Sequence, residues 1–277
     1  MNELCRLAKV SRSSYYSWRK GDLQGEPDEF MVELISEIHE YKHKKAGIRT
    51  IRMELDRQFN LIVNLKKIAR IKRQYGLATV IRRKNKYKSV SKLAGEHAFA
   101  PNILNRNFSP SLPDQVYVTD ITYLNFGPGK KAYLSVVKDL GSSEIVHHHV
   151  SSTLGLELPL KGLENLLKKL PLERRLGLIF HSDQGFHFTH SNFRETLAKL
   201  SITQSMSRKG NCLDNASVES FFGHFKDEIE LGSCNTLEDL AIRVSKYLEY
   251  YNNDRPQWGL NQKTPAESRS LKLGGII

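Results

Sequence analysis

The chain has 277 residues, of which 39% are hydrophobic and 26% charged, with 42 Lys/Arg against 30 Asp/Glu for a formal net charge of +12. That length suits roughly two domains of about 100 to 200 residues each. No apolar run of about 18 residues is present, and no charged start leads into an apolar stretch, so neither a membrane span nor a secretory leader is expected and the chain reads as cytoplasmic.

From the start, Leu4 to Trp18 reads as a short helix, a break near Val10-Ser11, and a further helical turn, followed by a polar linker from Gly21 to Pro27. Phe30, Leu34, Ile35 and Ile38 then mark one helical stripe; Ile48, Ile51, Met53 and Leu55 mark a second; Leu65, Ile68, Ala69, Ile71 and Tyr75 a third. Asn64 is placed to cap the third helix and Gly76 to end it. Lys66, Lys67, Arg70, Lys72 and Arg73 crowd its remaining surface, which makes it the candidate recognition helix.

The charge is unevenly spread. Residues 1–110 hold 23 basic and 11 acidic side chains, whereas residues 111–277 hold 19 of each. Within residues 41–92 there are 17 basic side chains and only Glu54 and Asp56 to offset them. Such density favours a polyanion, because each neutralised phosphate releases condensed counterions. Residues 82–92 lack apolar periodicity and read as a basic tether able to follow phosphates without reading bases.

A different pattern begins near residue 114. Val116 to Leu124, Lys131 to Val137 and Glu144 to Ser151 read as a three-strand meander. Gly127-Pro128-Gly129-Lys130 is a hairpin turn, since it lacks the frame of a phosphate loop. Leu154 to Leu170 reads as a helix, Leu176 to Phe180 as a buried strand, Asn192 to Leu200 as a helix, and Asp214 to Leu231 and Leu237 to Tyr251 as two more. His147, His148 and His149 cannot converge on one ion, because consecutive strand residues face opposite ways. Cys5, Cys212 and Cys234 are odd in number and far apart, which argues for reduced, structural thiols.

Three acidic residues stand out against this frame. Asp120 falls within the first strand, in phase with Val116, Val118 and Thr122, where a carboxylate needs a charge partner. Asp183 lies just past an apolar run, at the strand end where α/β sheets commonly hold ligands. Glu219 sits in the first turns of a helix that Asp214 or Asn215 would cap. Taken singly each is an ordinary surface or capping group. As a set they suit hard divalent ions, which bind through oxygen and can activate the attacking and leaving oxygens of an in-line phosphoryl transfer. Lys226 follows Glu219 by seven residues, about two helical turns, and so projects from nearly the same face.

The segments Val116-Tyr117-Val118-Thr119-Asp120-Ile121-Thr122-Tyr123, Phe180-His181-Ser182-Asp183-Gln184-Gly185 and Asp214-Asn215-Ala216-Ser217-Val218-Glu219-Ser220-Phe221-Phe222, with 35 residues between Asp183 and Glu219, carry a family resemblance. So do Ser207-Arg208-Lys209-Gly210-Asn211, Tyr250-Tyr251-Asn252-Asn253-Asp254-Arg255-Pro256 and Lys263-Thr264-Pro265-Ala266-Glu267. Together they resemble the DDE transposases of bacterial insertion sequences, most closely the second-frame (OrfB) product of elements whose transposase is split over two reading frames. Tyr117 stands where Trp is frequent, and His147-His148-His149, Phe186-His187-Phe188 and Gln257-Trp258-Gly259 also depart from the family pattern.

The resemblance implies an α/β fold: a ribonuclease-H-like, retroviral-integrase-like core with a mixed five-stranded sheet, preceded by a small all-α helix-turn-helix domain. The implied organisation is a partial helix-turn-helix tail and linker at 1–26, a helix-turn-helix-like domain at 27–81, a basic linker at 82–109, the catalytic core at 110–270 and a tail at 271–277. Asp120, Asp183 and Glu219 would be catalytic and hold two Mg²⁺ or Mn²⁺ ions. Lys226, Lys66, Lys67, Arg70, Arg73, Arg208 and Lys209 would contact DNA, with His181 and Asn215 in support. The implied partners are double-stranded DNA, as terminal repeats and target, further copies of the chain, and a first-frame product as a fusion; the bound protein would lie at the nucleoid. A DNA-binding regulator with an idle core is the alternative.

Overall fold

A computed structural model of the chain describes residues 2–8, 10–19, 29–81 and 99–274, apart from 162, 164–165 and 168–169. The chain divides into two compact units, Met1–Val80 and Ile81–Ile277. The linker expected from Gly21 to Pro27 and the basic tether at 82–92 lie outside the described residues.

The first unit is helical. Helices α1 (Asn2–Leu7) and α2 (Arg12–Arg19) flank the expected break. Helices α3 (Glu29–Tyr41), α4 (Ile48–Phe59) and α5 (Leu65–Gln74) bury Leu34, Ile35, Ile38, Ile51, Leu55, Ile68 and Ile71 in one core, the stripes that 3.6-residue periodicity selects. Asn64 Oδ1 accepts the Lys66 N–H at 2.8 Å, and Gly76 follows α5 with φ +66°, so the helix starts and stops where its sequence asks. Lys66, Arg70 and Arg73 are exposed and Lys67 is half-buried. Lys72 differs from the expectation. It is buried, and its Nζ bonds to His39 Nδ1 at 3.2 Å and Ala46 O at 3.0 Å, so it braces the core and leaves the surface to its neighbours.

In the second unit, β1 (Val116–Phe126), β2 (Lys130–Asp139) and β3 (Ile145–Ser151) form the antiparallel meander. Strands β4 (Ile179–Ser182) and β5 (Thr203–Met206) extend it in parallel, giving the order β3-β2-β1-β4-β5, a mixed five-stranded sheet with helices on both faces. Alternation along β1 separates the faces. Val116, Val118, Leu124 and Phe126 pack with Val218, Phe221 and Phe225 of the helix Ala216–Glu228, while Tyr117 packs with Phe180, Phe193 and Leu197 on the other side. Tyr117 also donates its hydroxyl to Asp114 Oδ1 at 2.7 Å, so the phenol fills a buried position without an orphaned donor.

Three segments differ from their sequence expectation. The helix expected over Leu154 to Leu170 begins at Glu157 and breaks after Leu160, where Lys161 turns extended; Leu163 and Leu167 beyond it are buried. The strand expected at Leu176 to Phe180 runs later, to Ser182, because Gly177 at φ +92° reverses the chain after a helical turn at Leu172–Arg175 and only then does Ile179 pair with β1. The helix expected from Asp214 begins with a 3-10 turn, Cys212–Asn215, and its α-helical part ends at Glu228.

The closing signature is structural. Arg255 grips Glu228 at both carboxylate oxygens, and Tyr251 packs edge-on against Phe221 at 4.9 Å between ring centroids. Asn252 pairs with both backbone groups of Ile145. These contacts fasten the helix Leu237–Asn253 to β3 and to the end of the helix that carries Glu219.

Candidate active site at the strand ends

Strand register brings the first two carboxylates together. Val116, Tyr117 and Val118 lie opposite Ile179, Phe180 and His181 in the parallel β1/β4 pair. Carried two residues further, the same register sets Asp120 beside Asp183, and adjacent strands are about 4.8 Å apart. Asp183 is the first residue past β4. Glu219 lies near the N-terminus of the helix packed on the Val116/Val118 face, the face that alternation also gives to Asp120.

Electrostatics records this neighbourhood. Burial pushes the Asp120 carboxyl up to about 7, and the negative charges of Asp183 and Glu219 add to the rise; Lys226 partly offsets it. Burial likewise raises Asp183. Each Asp spends one oxygen on a nearby backbone amide: Asp120 Oδ1 accepts the Ile121 N–H at 2.7 Å and Asp183 Oδ1 the Gly185 N–H at 2.8 Å. A Cβ at Gly185 would meet Asp183 Oδ1 at 2.8 Å, so any larger residue there would push the carboxylate aside. The donor set of three carboxylates fits a hard divalent cation, whose positive charge would offset the burial and the neighbouring negative charge that hold Asp120 high. The shell is not preassembled, however: among the described residues no three His, Cys, Asp or Glu side chains meet as a ready metal site.

The surrounding residues divide by role. Lys226 Nζ lies 4.4 Å from the centroid of the exposed Tyr123 ring and within electrostatic reach of Asp120. His181, expected in a supporting role, is fully buried, and its ring nitrogens bond Ser205 Oγ at 2.9 Å and Ser207 Oγ at 3.1 Å. Ser205 Oγ already accepts the Ile103 and Leu104 N–H groups, so its own hydrogen points to His181 Nδ1 and leaves the proton of the neutral ring on Nε2. Burial pushes this ring down to about 4, consistent with a neutral tie between β4, β5 and the following loop. His147 and His148 reach different elements, bonding Lys161 O and Ser245 Oγ.

Asp214 and Asn215 depart from a simple capping role. Asp214, wholly buried, accepts from Arg208, Arg106 and Asn102, and the Arg208 bonds hold it far below the usual carboxylate range. Asn215 makes no side-chain cap; its Nδ2 lies 3.4 Å from Thr119 O, which links the Glu219 helix to the residue before Asp120. Arg106 and Asn102 escaped the sequence reading because their partner, Asp214, is more than 100 positions away. Lys209 is exposed.

Residues 110–212 and 200–265 match integrase core domain families, and residues 26–85 match an HTH-like domain family. A putative transposase, InsK, for insertion sequence element IS150 of Escherichia coli strain K12 is 35% identical over 98% of this chain and 93% of its own length. This chain belongs to the insertion-sequence transposases. The transposase is also similar to the uncharacterized 31 kDa protein of insertion element IS600 from Shigella sonnei, at 32% identity over 96% of this chain and 97% of the relative. The transposase for insertion sequence element IS904 of Lactococcus lactis is 32% identical over 86% and 93% of the two chains. Among solved structures, the catalytic core domain of BIV integrase aligns with 59% of this chain and 96% of its own at 22% identity, with a TM-score of 0.42, too loose a likeness to carry an argument. The transposase is therefore a DNA-binding protein whose core is of the polynucleotidyl-transferase kind, and integrase cores typically work with divalent metal ions.

Proposed function

We propose that this transposase cleaves and joins DNA strands at the ends of its own element through Asp120, Asp183 and Glu219, which would hold two Mg²⁺ or Mn²⁺ ions. The observation that carries the reading is the parallel register of β1 with β4, with Val118 opposite His181 two residues short of Asp120 and Asp183, together with Glu219 in the first turn of the helix packed on the Val116/Val118 face. Bound ions would supply Lewis-acid activation of the attacking and leaving oxygens in an in-line displacement. Water first displaces a 3′-oxygen at the element end, and the freed 3′-hydroxyl then attacks a second phosphodiester, without a covalent protein intermediate.

The chain's residues bind and position. Lys226 meets a phosphate at the strand being cut, and Arg208 and Lys209 follow the same backbone from the adjoining loop. Lys66, Lys67, Arg70 and Arg73 on α5 grip duplex DNA in the first unit, with residues 27–81 as the recognition domain and 110–270 as the catalytic domain. His181 and Asn215 support the site through the strands and helix they tie together. Further copies of the chain assemble on paired ends, and a first-frame product joins the chain as a fusion.

The test is Mg²⁺- or Mn²⁺-dependent nicking of DNA bearing the element's ends. Asp183→Asn should abolish it, and equal activity in variant and parent would sink the reading. A second reading is a DNA-binding regulator with an idle core; the exposed Lys66, Arg70 and Arg73 of α5 favour it, since they would bind DNA whether or not the core reacts. Specific end binding without nicking, even in the fusion form, would favour it.

A further inference from the structure

We infer that Arg106 and Arg208, anchored by Asp214, form a two-pronged site for a single backbone phosphate of DNA beside the carboxylates. The inference rests on the DNA strand-transfer reading above and adds two residues to it, Arg106 and Asp214.

The Asp214 carboxylate is 0% exposed and its acceptor capacity is filled. Oδ1 accepts Arg106 Nε at 2.8 Å and Arg208 Nη2 at 2.8 Å, while Oδ2 accepts Arg208 Nε at 2.8 Å, the Arg208 N–H at 3.0 Å and Asn102 Nδ2 at 3.0 Å. Two guanidinium groups thus share one oxygen and lie side by side. One anion compensates one of them. The other positive charge is left over, at the surface, because the two arginine side chains remain 42% and 52% exposed.

Their outward edges carry the remaining donors. Among the described residues, Arg106 commits only Nε to Asp214 and Arg208 commits Nε and Nη2, which leaves both Nη groups of the first and Nη1 of the second for an outside acceptor. Guanidinium forks match the oxygens of a phosphate, and a fork already fixed from behind loses little rotamer freedom on binding.

Position selects the ligand. Arg208 is two residues past the end of β5, and the preceding Ser207 N–H donates to Ser182 O at 2.9 Å, immediately before Asp183. The pair therefore stands at the same end of the sheet as Asp183, and a strand lying across the carboxylates would present a neighbouring phosphate to it. A loop brace alone needs no surplus charge and would leave DNA affinity untouched.

The experiment uses the full chain and a fluorescent DNA duplex in EDTA, with the dissociation constant followed against salt. Each phosphate contact adds about 0.9 to the slope of log affinity on log salt. Arg106→Gln or Arg208→Gln, by removing the surplus charge, should lower that slope by about 0.9 and weaken binding by roughly 3- to 10-fold near 0.1 M salt, and the double variant should lose no further slope. Parental slope and affinity in folded variants would overturn the proposal. If the Gln variants do not fold, Arg→Lys at both positions keeps the charge but not the fork. Those variants should bind about threefold more weakly with the slope retained, and parental affinity would overturn the two-pronged site. Because cleavage plays no part in EDTA, failure here with an inactive Asp183→Asn removes the arginine pair alone, whereas an active Asp183→Asn removes the strand-transfer reading.

Discussion

Two sets of carboxylates in the α/β unit, Asp114 and Asp214 buried and Asp120 and Asp183 half-buried, are treated in opposite ways. Asp114 and Asp214 are met by arginines, Arg174 and Arg269 on the first and Arg106 and Arg208 on the second, and both stay below the usual carboxylate range despite burial. Asp120 and Asp183 accept backbone N–H groups instead, and both rise. The first set holds the fold. The second is left in want of positive charge, as the proposed cation-binding role would require.

The largest effect should come from the second set. Asp120→Asn or Asp183→Asn is expected to reduce nicking by at least about 1000-fold, and adding Glu219→Gln should cost little more, because residues acting as a unit are non-additive. Single-turnover nicking assays check this. Additive losses would mean that the three carboxylates do not serve one assembly.

The two sets should also diverge in stability. Asp214→Ala removes the shared anchor of two half-exposed arginines and the buried acceptor that ties them to Asn102, and should destabilise the α/β unit by roughly 1 to 3 kcal/mol in urea unfolding. Asp120→Asn should instead stabilise the metal-free chain at pH 8, by roughly 1 to 2 kcal/mol after allowing for residual solvent at the site. Loss of stability in both would erase the contrast.

A pH dependence follows with a definite sign. The folded-state value for Asp120, about 7, exceeds its ordinary 3.8, so the unfolded chain gives up this proton first. Stability of the metal-free protein therefore falls as pH rises from about 4 to about 7 and then levels. Metal affinity runs the other way, since the ligand must be ionised, and should climb toward pH 7 by up to about tenfold per unit. Calorimetric Mn²⁺ titrations from pH 5.5 to 8.5 measure it, and a flat profile would remove Asp120 from the shell. Smaller still, Gly185→Ala should lower nicking by roughly 10-fold by displacing the Asp183 carboxylate while leaving duplex binding in EDTA unchanged.

Much of this was legible before folding wherever the cause is local. The stripes of α3 to α5, the Asn64 cap, the meander and the phase of Asp120 along β1 all follow from periodicities of 3.6 and 2. What escaped depends on distant partners. Strand β5, Thr203–Met206, is short and mostly polar, and is a strand because β4 pairs with it and His181 satisfies Ser205. Lys72 carries a surface residue's chemistry, yet His39 and Ala46 draw it inside. Asp214 has the sequence of an N-cap, and only folding reveals the two arginines that claim it. The helix Pro265–Gly274 likewise went unread, although Thr264 and Glu267 cap its start reciprocally.

The most direct measurement is the number of Mn²⁺ ions held per chain on end DNA, counted by electron paramagnetic resonance. Two ions are expected for the parent, and the loss of at least one in Asp120→Asn and in Asp183→Asn. An unchanged count in both variants would contradict that expectation.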